Sequence, residues 1–213
     1  MEGGGEAGAE CTAGDYYYDN NNKNGNRDYT IECTDDKLSK RITYYADGVT
    51  KAIETTYYES TSLKKIEIYY GLDGATKTSE RTYYEGKEEY RKTWIDYRTD
   101  GTKITERTYN ENGRQKTQIG YYTDGVTKRN ETNHYANGVT RKTQIEYRTD
   151  GTKSNERTYY ENTGNHKTRI DYQTDGTKES GFPKCFEDVG SFTTETCTDA
   201  KHGCTSASDT CIN

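Results

Sequence analysis

The chain has 213 residues and a formal net charge of −6, and only 28% of its residues are hydrophobic. Globular proteins have about 45–50%, so a large aliphatic core is excluded. Such a composition would favour disorder, but the small net charge and the 22 tyrosines favour an ordered, strand-rich chain. The sequence pI of about 5.3 argues against a nucleic-acid partner, and no apolar stretch reaches the ~20 residues of a membrane-spanning helix.

Residues 1–36 form the first predicted segment, which is rich in Gly, Asn and Tyr and contains Cys11 and Cys33. Its first nine residues are mostly Gly, Glu and Ala and have no apolar centre, so they do not resemble a signal peptide. If the protein is secreted, we expect its leader to have been removed.

Residues 37–180 form the second predicted segment, a tandem repeat of two alternating half-units. The first half-unit has the pattern Thr-x-Ile-x-Tyr followed by Asp-Gly, and the second has Glu-x-Thr-Tyr-Tyr followed by Glu-Gly or Asn-Gly. The glycines of the Asp-Gly turns recur every 24 to 27 residues, from Gly48 to Gly176. The Ile and Tyr positions of the first half-unit, which we expect to form a structural ladder, are Ile95, Tyr97, Ile119, Tyr121, Ile145, Tyr147, Ile170 and Tyr172.

The alternation within each half-unit predicts a strand, and the Asp-Gly and Asn-Gly pairs supply the positive φ that tight hairpin turns need. The second kind of turn falls near residue 60, where the period alone indicates it, and at residues 86, 113, 138 and 164. With the six Asp-Gly turns this gives eleven turns, which predict about twelve antiparallel strands. Within one strand, Thr143, Ile145 and Tyr147 share a face, while Lys142 and Glu146 point to the other. Both faces therefore carry aromatic and charged side chains together.

A two-layer sandwich needs one strongly apolar face, and this repeat offers none. We therefore predict an all-β fold, an elongated single-layer antiparallel meander held by cross-strand ladders, with small disulfide-stabilised ends. A β-solenoid is the alternative, but its interior would require more Val, Ile and Leu than the repeat contains.

Residues 181–213 form the third predicted segment, which is rich in Cys, Ser and Thr. Six cysteines lie at the two ends of the chain, and none lies inside the repeat. This placement favours disulfides and an oxidising, secreted or cell-surface location over a zinc site, for which the CxxC spacing is missing. Fifteen connectivities are open for the six residues, which are Cys11, Cys33, Cys185, Cys197, Cys204 and Cys211.

The sequence carries one glycosylation sequon, at Asn130, and little sign of catalysis. His134, His166 and His202 are scattered, and no nucleophile elbow, P-loop, HExxH or Rossmann glycine motif is present. The recurrent Glu and Lys are expected to pair along the ladder. We predict no enzymatic activity and no cofactor.

The hairpin pattern of residues 40–180 resembles the MORN-like repeats of the bacterial YwqK antitoxin type and, more loosely, the tyrosine–aspartate repeats of large surface proteins. MORN units carry more Gly and Trp or Phe, whereas this chain has a single tryptophan, Trp94. The resemblance implies tandem β-hairpins and, as a function, an intracellular toxin-neutralising protein, a location that the cysteines oppose.

The residues themselves favour a different function. A meander leaves two open edge strands that can pair with another chain, so we predict a structural subunit of an extracellular fibre or surface layer, a homo-oligomer or filament formed through its ends. The alternative is a binding module for glycans or surfaces, because regularly spaced Tyr and Thr could contact sugars.

Overall fold

The computed structural model describes residues 11–16, 27–87, 90–180, 183–186 and 194–196. All regular secondary structure in these ranges is β, in fifteen strands. Twelve of them have six to eight residues and correspond to the predicted hairpin strands, whereas β1, β14 and β15 have three residues each. The predicted all-β, single-layer antiparallel meander is confirmed.

The chain divides into two compact units, Met1–Gly101 and Thr102–Asn213. The first contains β1 Gly14–Tyr16, β2 Tyr29–Thr34, β3 Lys37–Tyr44, β4 Lys51–Tyr57, β5 Lys64–Tyr70, β6 Lys77–Tyr83 and β7 Arg91–Tyr97. The second contains β8 Lys103–Tyr109, β9 Gln115–Tyr121, β10 Lys128–His134, β11 Arg141–Tyr147, β12 Lys153–Tyr159, β13 His166–Asp171, β14 Lys184–Phe186 and β15 Thr194–Thr196. Within each unit the strands form an open antiparallel sheet in chain order.

The turns have the conformation that their glycines predict. Each of the ten turn glycines of the repeat has a positive φ, between 68° and 84°. The turn without a glycine places Ser62 in the same left-handed region, with a φ of 56°. In the Asp-Gly turns the aspartate also accepts hydrogen bonds from the residues that follow. Asp73, for example, accepts from the Thr76 hydroxyl and from the amides of Ala75 and Thr76. Together these three hydrogen bonds lower the pKa of Asp73 to about 2.

Some of the turns pack against the preceding turn on the same side of the sheet. A Cβ added to Gly125 would lie 2.5 Å from the Cβ of Thr102 and 2.8 Å from the amide nitrogen of Lys103. Gly138 has a similar contact, because its added Cβ would lie 2.5 Å from the Cβ of Arg114. Glycine is therefore required at these positions both for the backbone conformation and for the close approach of the neighbouring hairpin.

A β-bulge recurs near one end of nearly every strand pair. Between β11 and β12, Glu146 pairs with Asn155 and Tyr147 pairs with Lys153, so Ser154 is the extra residue. In a regular strand, residues three apart point to opposite faces. The extra residue reverses this relation and brings Lys153 to the same face as Glu156.

Tyrosine takes the place of an aliphatic core. Among the described residues, the buried hydrophobic side chains are Tyr83, Tyr121 and Tyr159, and Tyr159 is only 2% exposed. A tyrosine ring buries a large apolar area while its hydroxyl finds a polar partner, which suits a sheet without a second layer.

Candidate functional site

The predicted ladder lies along one face of the sheet, where isoleucine and glutamate alternate from strand to strand. Each isoleucine of the Thr-x-Ile-x-Tyr strands lies directly opposite the glutamate of the neighbouring Glu-x-Thr-Tyr-Tyr strand. In the first unit the row is Ile42, Glu54, Ile68, Glu80 and Ile95. In the second unit it is Glu106, Ile119, Glu131, Ile145, Glu156 and Ile170.

Every glutamate of this row forms an ion pair with the lysine three residues before it in the same strand. The Nζ–carboxylate distances are 2.7 to 2.8 Å for Lys51–Glu54, Lys77–Glu80, Lys103–Glu106, Lys128–Glu131 and Lys153–Glu156. These pairs depend on the β-bulges, which bring the lysine to the glutamate's face. We expected the glutamates to pair with Lys or Arg on the strand opposite, whereas the structure places isoleucine there and the lysine in the same strand.

A tyrosine hydroxyl completes four of these five groups of side chains, and we call the whole row the Lys–Glu–Tyr ladder. The tyrosine comes from the strand that follows and donates to the same carboxylate. The distances are 3.3 Å for Tyr70 to Glu54, 3.0 Å for Tyr121 to Glu106, 3.4 Å for Tyr147 to Glu131 and 3.2 Å for Tyr172 to Glu156. Tyr97 is the corresponding residue of β7 and contributes to the raised pKa of Lys77.

The ladder separates the pKa values of its members. Burial raises the pKa of Glu106, but the hydrogen bonds from Lys103 and Tyr121 outweigh it, and the net pKa lies below the ordinary value. Burial and the hydrogen bond to Glu106 raise the pKa of Tyr121 to about 12. Near neutral pH the carboxylate is therefore charged and the phenol is protonated.

A variant of the same group lies on the opposite face of the first unit. Glu67 is only 5% exposed, and it accepts hydrogen bonds from Lys64 at 2.7 Å, from Tyr69 at 3.3 Å and from Tyr83. Burial and the hydrogen bond to Glu67 raise the pKa of the Tyr83 hydroxyl. Nearby, the Arg81 guanidinium lies 4.3 Å from the centre of the Tyr69 ring, so cation–π contact supplements the hydrogen bonds.

The tyrosine directly after a strand, which is the second of a Tyr-Tyr pair or, for Tyr135, follows His134, links neighbouring repeats. Its hydroxyl donates to a backbone carbonyl 24 or 25 residues further along the chain, in the strand after next. The bonds are Tyr45 to Tyr70 at 2.7 Å, Tyr58 to Tyr83 at 2.9 Å, Tyr122 to Tyr147 at 2.6 Å and Tyr135 to Tyr159 at 2.8 Å. We call these bonds the forward tyrosine bonds.

The disulfide Cys11–Cys33 joins the N-terminal edge of the first unit to β2, with 6.0 Å between the two Cα atoms. Beside it, the amide of Cys11 donates to the carbonyl of Asp36. Cys185 lies in β14, but its side chain is not among those described. The remaining predicted cysteines, Cys197, Cys204 and Cys211, lie outside the described residues, as does His202.

Asn130 lies in the middle of β10, where its side-chain oxygen accepts a hydrogen bond from the Gly120 amide at 3.2 Å. His134 occupies the position that Tyr83 and Tyr159 hold in other repeats, and burial lowers its pKa. Its Nδ1 is buried without a hydrogen-bond partner. The structure does not bring His134 and His166 into one site, because they lie on β10 and β13.

The alternating pattern did not predict the bulges that place each lysine beside the glutamate of its own strand. A signal was present, since Lys-x-x-Glu recurs at the start of the Glu-x-Thr-Tyr-Tyr strands with a spacing that plain alternation does not explain. No group of three or more His, Cys, Asp or Glu that could hold a metal ion occurs in the described part of the chain. The described residues also contain no helix suited to crossing a membrane.

No protein-family model matches the chain, and no curated protein matches its sequence. Among solved structures, TarM has a TM-score of 0.18 and 12% identity, over 58% of this chain and 18% of TarM. An S. aureus TarM variant with fondaparinux, α-GlcNAc-glycerol and UDP has a TM-score of 0.19 and 12% identity, over 60% and 19% of the two chains. A TcdB2–TccC3–Cdc42 structure has a TM-score of 0.20 and 10% identity, over 76% and 12%. TM-scores this low do not establish a shared fold, and the resemblance to MORN-like repeats stays a prediction.

Proposed function

We propose that this chain is a non-catalytic structural protein of an extracellular fibre or surface layer, in which copies associate through their sheet edges. The observation that carries the proposal is the Lys–Glu–Tyr ladder. Each of its carboxylates forms an ion pair with one ammonium group of its own strand and, in most repeats, accepts a hydrogen bond from one phenol.

Acid–base catalysis works best when a group has a pKa near the working pH. The ladder has the opposite effect, since it lowers the pKa of Glu54, Glu106 and Glu131 and raises the pKa of their tyrosine partners. The charged groups thus stabilise a repeating sheet, which supports a structural role.

The proposed association uses backbone groups. In the described strand order, β1 and β15 each have only one neighbouring strand. An edge strand leaves a row of N–H and C=O groups that can pair with another chain. The disulfide Cys11–Cys33 at the β1 edge supports an oxidising, extracellular setting, and a glycan at Asn130 remains part of this proposal.

Sedimentation velocity and negative-stain imaging of the oxidised protein test the proposal. We expect concentration-dependent oligomers or filaments. A monomer at every concentration, with an intact disulfide, would overturn the proposed assembly.

A matched pair of proline variants tests the role of the edge. Glu195→Pro removes a backbone N–H from the edge strand β15, whereas Thr99→Pro puts proline at the second position of an exposed turn, where it is well tolerated. We expect the first variant to assemble less and the second to assemble normally, with unchanged circular dichroism for both. Equal assembly of the two variants contradicts association through β15.

A second function, binding of glycans or surfaces, is supported by a separate set of exposed lysines. Lys65 and Lys142 each lie over a tyrosine ring, at 5.7 and 5.9 Å from the ring centre. They lie at the opposite end of the strands from the ladder lysines, and ladder pairing does not explain them.

A further inference from the structure

The Thr-x-Ile-x-Tyr strands carry a second row of lysines, near the N-terminal ends of these strands. Because neighbouring strands are antiparallel, this row runs along the side of the sheet opposite to the ladder lysines. We call it the open lysine row; its members are Lys65, Lys92, Lys116, Lys142 and Lys167. The first four are exposed. Among the described residues, no carboxylate lies within ion-pair distance of these four, although every ladder lysine has one.

Tyrosine rings lie beside three of these lysines, Lys65, Lys142 and Lys167. The Nζ of Lys142 lies 5.9 Å from the centre of the Tyr135 ring, and that of Lys167 lies 5.6 Å from the Tyr160 ring. The Tyr135 hydroxyl is itself fixed by its forward tyrosine bond to the Tyr159 carbonyl. A charge supported in this way loses less conformational freedom on binding than an unsupported lysine does.

The surroundings of the row in the second unit are hydroxyl-rich. Lys142 and Lys167 line a shallow depression of about 340 Å³ together with Thr143, Thr158 and Thr168. Glu156 also lines it, and its carboxylate is paired with Lys153. The hydroxyls of Thr158 and Thr168 lie 2.7 Å apart and belong to the row of threonines that follows this edge. Cations beside hydroxyls and aromatic rings suit a ligand that carries both acidic groups and hydroxyls, which is the chemistry of an acidic sugar.

The first unit repeats this arrangement. Tyr58 and Lys65 line a depression of about 470 Å³, to which Lys37, Ser39 and Ser60 also contribute. Two carboxylates line it as well, Glu59 and Glu85, and the Glu85 carboxylate accepts a hydrogen bond from the Ser60 hydroxyl. Tyr58 corresponds to Tyr135 in the repeat, and its hydroxyl makes the equivalent forward tyrosine bond. The arrangement therefore occurs in both units and is not confined to one hairpin.

The spacing of the row indicates how the ligand is built. Lys116, Lys142 and Lys167 lie on β9, β11 and β13, so successive members are two strands, or about 9.6 Å, apart. This distance is comparable with the length of a disaccharide. We propose that the open lysine row binds a linear acidic polysaccharide with one carboxylate or sulfate per disaccharide, across the strands.

The proposal rests on the second function above and names its ligand class. Several weak, evenly spaced contacts add up on a polymer, because each further contact is intramolecular. Nucleic acid fits less well, since its phosphates are more closely spaced and the chain has a net charge of −6. The exposed carboxylates of Glu111 and Glu161, at the turns of the same edge, also oppose a denser polyanion.

The test compares two triple variants of the second unit that remove the same charge from the same sheet. The first variant alters the open lysine row by Lys116→Gln, Lys142→Gln and Lys167→Gln. The control alters the ladder lysines at the opposite edge by Lys103→Gln, Lys128→Gln and Lys153→Gln. Circular dichroism and thermal unfolding establish that each variant is folded.

Titration calorimetry with a hyaluronan octasaccharide, which has one carboxylate per disaccharide, measures binding by the full chain. We expect roughly a tenfold or greater loss of affinity for the row variant and less than a threefold change for the folded control. Binding should weaken with salt, and an uncharged chitin oligosaccharide of equal length should bind at least tenfold more weakly.

Three results would overturn the proposal: no hyaluronan binding by the unaltered protein, equal losses in the two variants, or tighter binding of single-stranded DNA of equal charge. If the control variant does not fold, the two triple variants are replaced by two single variants, Lys142→Gln in the open lysine row and Lys128→Gln in the ladder. Sedimentation of the same proteins without sugar reports on assembly separately, so failure of the ligand proposal is distinguishable from failure of the proposed fibre.

Discussion

Replacing Gly125 with alanine tests whether stacking of neighbouring turns stabilises the repeat. Gly125 has a φ of 69°, and an added Cβ would lie 2.5 Å from the Cβ of Thr102. Gly151 is a matched control on the same edge of the same unit: its φ is 84°, and nothing lies within 4 Å of an added Cβ. Both substitutions place alanine in a left-handed backbone conformation, but only the one at Gly125 also brings its Cβ into contact with the neighbouring turn.

The magnitudes follow from these two effects. A left-handed conformation costs alanine about 1–2 kcal/mol, and the lower entropy of the unfolded chain returns about 0.4–1 kcal/mol. Gly151→Ala should therefore lower the free energy of unfolding by about 1 kcal/mol. Overpacking adds about 1–3 kcal/mol, so Gly125→Ala should lower it by about 2–4 kcal/mol.

Urea unfolding followed by far-ultraviolet circular dichroism measures both values. We expect similar m-values and a clearly lower midpoint for Gly125→Ala. If the two variants lose the same stability within about 0.5 kcal/mol, the turns do not support each other and the reasoning is wrong. Gly138→Ala, at the opposite edge, should repeat the larger effect.

Three further predictions concern other parts of the repeat. Ser62→Gly should raise the free energy of unfolding by about 1 kcal/mol, because Ser62 has a positive φ, and Gly164→Ser in the equivalent turn should lower it by a similar amount in the same urea assay. His134→Tyr, which restores the residue of the other repeats, should raise the melting temperature through a gain of about 0.5–2 kcal/mol. Stability should be highest between about pH 4.5 and 10. Because the pKa of Glu106 is lowered in the folded protein, its contribution to the free energy of unfolding is lost as the pH falls below 4.5. Because the pKa of Tyr121 is raised from 10.0 to about 12, its contribution is lost as the pH rises from 10.0 to about 12. Melting curves measured across this pH range, together with phenolate absorbance, check both limits.

The strands and turns were predictable because they depend on local patterns. Alternation, Asp-Gly and Asn-Gly pairs, and the absence of an apolar face together led to the open antiparallel meander that the structure shows. The turn at Ser62 was found by its period alone, since it lacks the usual glycine. Local chemistry was sufficient for the fold class.

The ladder was only partly predictable, because a bulge changes which residues share a face. Strict alternation places Lys153 and Glu156 on opposite faces, whereas Ser154, the extra residue, brings them together at 2.7 Å. The forward tyrosine bonds were missed for another reason: they join residues 24 or 25 apart, and side-chain reach over an intervening strand is not visible in a local pattern.

The forward tyrosine bonds give the array a direction. Each of these hydroxyls donates to a carbonyl nearer the C-terminus, as Tyr122 does to Tyr147. A repeat therefore depends on the following repeat for a hydrogen-bond acceptor, whereas it supplies only a carbonyl to the repeat before it. Removing a hairpin from the C-terminal side would leave a phenol without its acceptor, whereas trimming from the N-terminal side would leave only a carbonyl that water can satisfy. Shortened versions of the array should therefore tolerate loss at one end better than at the other.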